Sequence, residues 1–117
     1  MKVFISHSWK NKTEAQKIAD ELKVAGADLW LDANNLLPGQ LIQDTIDDVL
    51  EKIDLVVLIW TKEASASGGV AAEIFTCSRL NKIIIPCLLD ETGLDLHPYL
   101  RRIKGIGFKD FTDGIGR

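Results

Sequence analysis

The sequence predicts a doubly wound α/β domain, a parallel sheet with helices on both faces. Strand-like and helix-like segments alternate along the chain, which calls for parallel strands joined by right-handed crossovers. The run Leu55-Val56-Val57-Leu58-Ile59-Trp60 is apolar without polar alternation, as in a strand buried on both faces. At 117 residues the chain is long enough for one core covered on both sides.

Composition removes several functions. The hydrophobic share of 46% and charged share of 26% are ordinary for a globular protein, and the net charge of −3 gives no basic footprint for nucleic acid or an anionic membrane. Only Arg101-Arg102-Ile103-Lys104 is locally basic, and it reads either as a solvated helix end or as a small phosphate or lipid patch. No apolar run approaches the ~20 residues of a membrane span. The start of the chain lacks a secretory signal, so a cytoplasmic location is expected. Cys77 and Cys87 have no partners at metal-ligand spacing and read as buried free thiols, with no metal site expected.

Val3-Phe4-Ile5 is the first strand, leaving through Ser6-His7-Ser8-Trp9-Lys10. Asn11 or Thr13 can cap the next helix, with Glu14 or Gln16 at the capping-box position. Ala15, Ile18, Ala19 and Leu22 form one apolar stripe, and Gly26 stands where a left-handed cap would stop the helix. Leu29-Trp30-Leu31 is the second strand. The long connection Ala33 to Gln40 carries Asn34-Asn35 and Pro38-Gly39 turns. Leu36 and Leu37 on that loop either fold back onto the core or present an apolar knob to another protein.

Ile42, Ile46, Val49, Leu50 and Ile53 repeat at helical spacing before the central strand, with their acidic neighbours as a solvated face. Thr61 to Gly69 reads as a small polar loop, followed by a third helix capped by Ser67, with Val70, Ile74 and Cys77 on one face and an end near Asn81. Ile83 to Leu89 is a fourth strand whose Pro86 signals a bulge or a nearby edge. A loop at 90–95, a short helix at 97–102 and a weak fifth strand at 105–108 complete the pattern. The expected architecture is flavodoxin-like, a five-stranded parallel sheet of order 2-1-3-4-5. Its switch point lies beside Ser6-His7-Ser8 and the loop Thr61 to Gly69.

The chemistries this architecture often carries lack their residues. There is no Gly-x-x-x-x-Gly-Lys-Ser/Thr loop, the first strand's exit has no glycine, and Gly105-Ile106-Gly107 follows the wrong element for a dinucleotide fingerprint. A phosphate-accepting receiver would want acids after strand one, an aspartate ending strand three and a lysine after strand four; Ser6-His7-Ser8, Trp60-Thr61-Lys62 and Asp90-Glu91 stand there. His7 and His97 are the only histidines and lie far apart, which argues against a Ser-His-Asp hydrolase. Near the switch point remain Glu73, small hydroxyl residues, His7, Trp9, Trp30 and Trp60. On periodicity alone Glu73 is an exposed helical acid, and Trp30 either packs in the core or stacks on a ligand.

Phe4-Ile5-Ser6-His7-Ser8, Leu29-Trp30-Leu31-Asp32 followed by Leu36-Leu37-Pro38-Gly39, and Ser67-Gly68-Gly69-Val70-Ala71-Ala72-Glu73 resemble, in order and spacing, the three signature stretches of TIR domains, closest to the bacterial type. The resemblance covers nearly the whole chain and implies a single TIR domain over 1–117, lacking the usual final helix and excised from a larger protein.

Two activities are implied. Many TIR domains hydrolyse or cyclise NAD+ and release nicotinamide, with a glutamate on the third helix as the key residue; Glu73 occupies that position. NAD+ would be the substrate, with no separate cofactor. His7, Ser8, Trp9, Trp30, Ser67 and Gly69 are the expected substrate-binding positions. The setting implied is a bacterial immune or effector system activated by self-assembly, with other TIR domains as partners in homo-oligomers or filaments. Other TIR domains are scaffolds that signal by homotypic assembly through the loop after strand two, here Asn35, Leu36, Leu37, Pro38 and Gly39. A nucleoside ribosyl-transfer enzyme can use the same fold and a similarly placed glutamate. One departure stands out: many catalytic members carry a tryptophan four residues before the glutamate, where this chain has Gly69.

Overall fold

The computed structural model describes residues 2–30, 48–93, 100 and 105–107. Strand β1 (Lys2–Ser6) leads through a 3₁₀ turn (Trp9–Asn11) into α1 (Lys12–Val24) and then β2 (Asp28–Trp30). Residues 48–51 are helical and precede β3 (Leu55–Trp60). Two helices follow, α2 (Lys62–Ser65) and α3 (Gly68–Leu80), then β4 (Ile84–Leu88) and the two described residues of β5 (Ile106–Gly107). The strands run parallel in the order β2-β1-β3-β4-β5, as the alternating pattern predicts.

Period-two alternation divides the strands between two cores. Val3 and Ile5 of β1 and Val57 and Ile59 of β3 pack with Ala15, Ile18 and Ala19 of α1. Phe4 of β1 and Val56, Leu58 and Trp60 of β3 face the other way, onto Val70, Ile74 and Cys77 of α3 and onto Leu50 and Ile53. Val56 through Trp60 are all buried, which explains the missing polar alternation. Side chains of β1 at the parity of Phe4 therefore point at α3, and Ser6 is one of them.

The helix ends follow their stop signals. Gly26 adopts φ 97°, with its amide on Lys23 O and the Ala27 amide on Leu22 O. Asn81 takes the same left-handed role after α3 at φ 55°. Three expectations need correction. The capping box of α1 does not form: Asn11 makes no side-chain cap bond, and Gln16 donates to Asp20 at 2.8 Å instead. The stretch Thr61 to Gly69 is not all loop, because Thr61 Oγ1 accepts the Ala64 amide at 3.0 Å and starts α2. Pro86 causes no bulge against β3. Ile83 O and the Leu89 amide bond to β3, so odd-numbered residues of β4 face that strand and the Pro86 nitrogen faces the other side. Among the described residues, pairing there with β5 starts at Cys87, in keeping with the expected nearby edge.

Candidate active site

The carboxyl ends of β1 and β3 lie side by side, with Ser6 paired to Leu58, so the two strand exits form the two walls of one site. In the β1 wall, Ser8 Oγ accepts the Lys10 amide at 3.3 Å and caps the 3₁₀ turn. His7 Nδ1 lies 2.8 Å from Ser8 O; a carbonyl only accepts, so Nδ1 carries the proton in this contact. In the β3 wall, Ser67 Oγ accepts the Val70 amide at 3.2 Å and caps α3. The walls are joined where Thr61 Oγ1 donates to Asn11 Oδ1 at 2.7 Å, both residues being buried. Further support comes from the exit of β4, where Trp60 Nε1 donates to Gly93 O at 3.0 Å and Asp90 Oδ2 accepts the Lys62 amide at 3.0 Å.

Between these walls opens a cleft of about 360 Å³ lined by Ser8, Trp9, Lys10, Glu63, Ala66, Ser67 and Gly68. Trp9 is 79% exposed, an indole face available for stacking. Lys10 and Glu63 give the cleft one charge of each sign. The sequence signal for both was adjacency alone: Lys10 follows the Ser-His-Ser-Trp exit, and Glu63 sits behind a threonine cap.

Glu73 is not the exposed helical acid that periodicity suggests; it is 8% exposed on the inner face of α3. The signal was present, since Glu73 stands three residues after Val70 and four before Cys77, the spacing that keeps all three on one face. Its Oε2 is buried, and with Ser6, Val56, Leu58, Ile74, Cys77 and Ile84 it lines an interior gap too small for a water molecule. Burial pushes the Cys77 thiol up to about 12, the charge of Glu73 adding to that shift and Lys82 opposing it. Glu73 thus lies behind the cleft rather than on its lining. It sits ~9 Å from Ser67 at a helical rise of ~1.5 Å per residue.

The expected binding positions separate accordingly. Ser8, Trp9 and Ser67 meet at the cleft, and half-buried His7 lies beside it. Gly69 is exposed on the first turn of α3, one residue beyond the lining. Trp30 pairs through its backbone with Phe4, and its side chain lies outside the described residues. The self-association loop Asn35 to Gly39 and the basic stretch Arg101 to Lys104 are also outside them.

The sequence matches the TIR domain over residues 3–117. The chain belongs to the TIR-domain family. Its fold is similar to that of the TIR domain of the Toll-related receptor TRR-2 from Hydra magnipapillata, with a TM-score of 0.76 at 16% identity over 97% of this chain and 90% of that one. The TIR domains of the activated Roq1 resistosome, which recognises the pathogen effector XopQ, align with a TM-score of 0.69 at 14% identity over 97% and 90%. Among curated proteins, this TIR domain is 37% identical over 59 residues to the NAD(+) hydrolase PdTIR of Paracoccus denitrificans. That match covers 48% of this chain and 20% of the relative.

Proposed function

We propose that this TIR domain cleaves NAD+ at the nicotinamide–ribose bond, as a glycohydrolase or cyclase of a bacterial immune or effector system that becomes active on self-assembly. The observation that carries the reading is Glu73: an acid on the inner face of α3, behind a cleft at the topological switch point. The partial likeness to a bacterial NAD(+) hydrolase supports it.

One carboxylate suffices for this chemistry. Ordinary glycosides need a general acid because the leaving group departs as an alkoxide. Nicotinamide leaves from a cationic pyridinium as a neutral base, taking the C1′–N electron pair with it. The ribose carbon gains positive charge as the bond stretches, and an ionised Glu73 would hold the ribose hydroxyls and stabilise that charge. Water then attacks C1′ and loses a proton to solvent; for cyclisation a nitrogen of the adenine replaces it. Trp9 offers a face for nicotinamide or adenine, and Lys10 a cation for the diphosphate.

The test is nicotinamide release from NAD+ by the assembled protein and by its Glu73→Gln variant. Loss of at least 100-fold in the variant is expected; equal rates would remove Glu73 from the chemistry.

A second reading, a non-enzymatic scaffold that recruits other TIR domains, is favoured by the closed gap around Glu73 and by Gly69. On that reading Leu36 and Leu37 form the contact, and Leu36→Asp with Leu37→Asp abolishes self-association in sedimentation velocity. Unchanged association would exclude the loop as the interface.

A further inference from the structure

Ser6 is a buried hydroxyl without a use. It is 1% exposed, and its Oγ has no hydrogen-bond partner among the described residues. Leaving a buried hydroxyl unpaired costs about 1–3 kcal/mol, and alanine at the same position would avoid that cost. The gap it lines is otherwise walled by Val56, Leu58, Ile74, Ile84, the Cys77 thiol and Glu73. The thiol is a weak partner, held neutral by burial. Lys82 is occupied, its Nζ 3.1 Å from both Glu51 O and Ile53 O. Among the described lining residues, Glu73 is the strong acceptor that a Ser6 donor can meet.

We infer that Ser6 is a positioning residue for Glu73, its hydroxyl donating to the ionised carboxylate and drawing it toward the cleft. The direction follows from the sheet register. Val56 and Ile84 pair at the inner level of the gap, whereas Ser6 pairs with Leu58 two residues nearer the strand ends. Ser6 is also the last residue of β1, two positions before cleft-lining Ser8. Side chains of a helix lean toward its N-terminus, so Glu73 already tilts toward Ser67 and the cleft. A turn about its side-chain torsions exchanges the enclosed position for one supported by Ser6. A carboxylate that must grip a ribose then has a fixed donor behind it, leaving its outer oxygen for substrate.

The inference rests on the NAD+ reading for its catalytic consequence, while the pairing has its own readout. The Glu73 carboxyl is titrated by ¹³C NMR in the intact chain, assigned by difference with Glu73→Gln, in the native protein and in Ser6→Ala and Ser6→Thr. The expected result is a midpoint at least half a pH unit higher in Ser6→Ala, restored by Ser6→Thr, with the melting temperature of Ser6→Ala unchanged or raised. Nicotinamide release should lose at least tenfold in kcat with KM within twofold. Equal midpoints in the native and Ser6→Ala proteins, or an unaltered kcat, overturn the assignment. A native protein that releases no nicotinamide, yet shows the midpoint shift, refutes the NAD+ reading and leaves the pairing standing.

Discussion

Thr61 donates its hydroxyl proton to Asn11 Oδ1 at 2.7 Å while the same oxygen accepts the Ala64 amide at 3.0 Å. One buried side chain therefore caps α2 and ties the exit of β3 to the exit of β1. Replacing it with the isosteric Thr61→Val removes a helix cap worth about 1 kcal/mol and strands a buried Asn11 at a further cost of about 1–3 kcal/mol. Urea denaturation should report a loss of about 2–4 kcal/mol at constant slope. Thr61→Ser, which keeps the hydroxyl, should lose less than half of that.

Gly69 lies on the first turn of α3 with φ outside the left-handed region, and a Cβ there would meet only Ser67 Oγ at an ordinary 3.8 Å. Nothing in the described structure requires glycine at this position. Gly69→Ala should stabilise the domain by about 0.5–1 kcal/mol in denaturant melts, because glycine carries the greater entropy cost in a helix. Gly69→Trp should fold, and under the NAD+ reading should raise nicotinamide release several-fold by adding a stacking surface beside Ser67.

Both cysteines are held neutral by burial, each pushed from an ordinary 9.0 up to about 12. The folded thiols keep their protons in a range where the unfolded chain loses its own, so stability is intact below pH 9 and falls as pH rises from 9 toward 12. The slope is about 1.4 kcal/mol per pH unit for each thiol. Thermal melts across pH 8 to 11 should show this decline, and Cys77→Ala with Cys87→Ala should flatten it.

Asp90 behaves in the opposite sense. A hydrogen bond from the Thr92 side chain lowers its pKa from the ordinary 3.8, slightly offset by burial and reinforced by the Lys62 and Thr92 amides. Its contribution is present above the ordinary value and is lost as pH falls through the lower folded value. Because Asp90 is exposed, solvent screening keeps that contribution below about 1 kcal/mol. Asp90→Asn should be slightly less stable at pH 7, and the difference should close in acid.

Much of the fold was legible because burial on two faces leaves a direct imprint. Leu55 to Trp60 had to be a central strand, and Gly26 and Asn81 had to end helices. The short helix α2 was hidden because four residues carry no periodicity; its signal is a threonine cap, and serines and alanines nearby read equally well as loop. Glu73 was legible as a position, and its spacing from Val70 and Cys77 carried the inner face, yet its enclosure was not legible. Charge makes an acid look exposed on a helical wheel, while four of the residues that enclose it, Ser6, Val56, Leu58 and Ile84, come from β1, β3 and β4. Ser6 was harder still: a serine ending an apolar strand looks like an exit to solvent until the parity of β1 aims it at α3.

Pro86 has a consequence for assembly of the sheet. Because its nitrogen faces β5 and carries no hydrogen, a slip of β5 by two residues toward the start of β4 would preserve the inward and outward pattern of side chains yet point a carbonyl at a nitrogen that cannot donate. A slip of two residues is therefore rejected by this ring. The pairing of β4 with β5 thus has one wrong register excluded at a single imino acid.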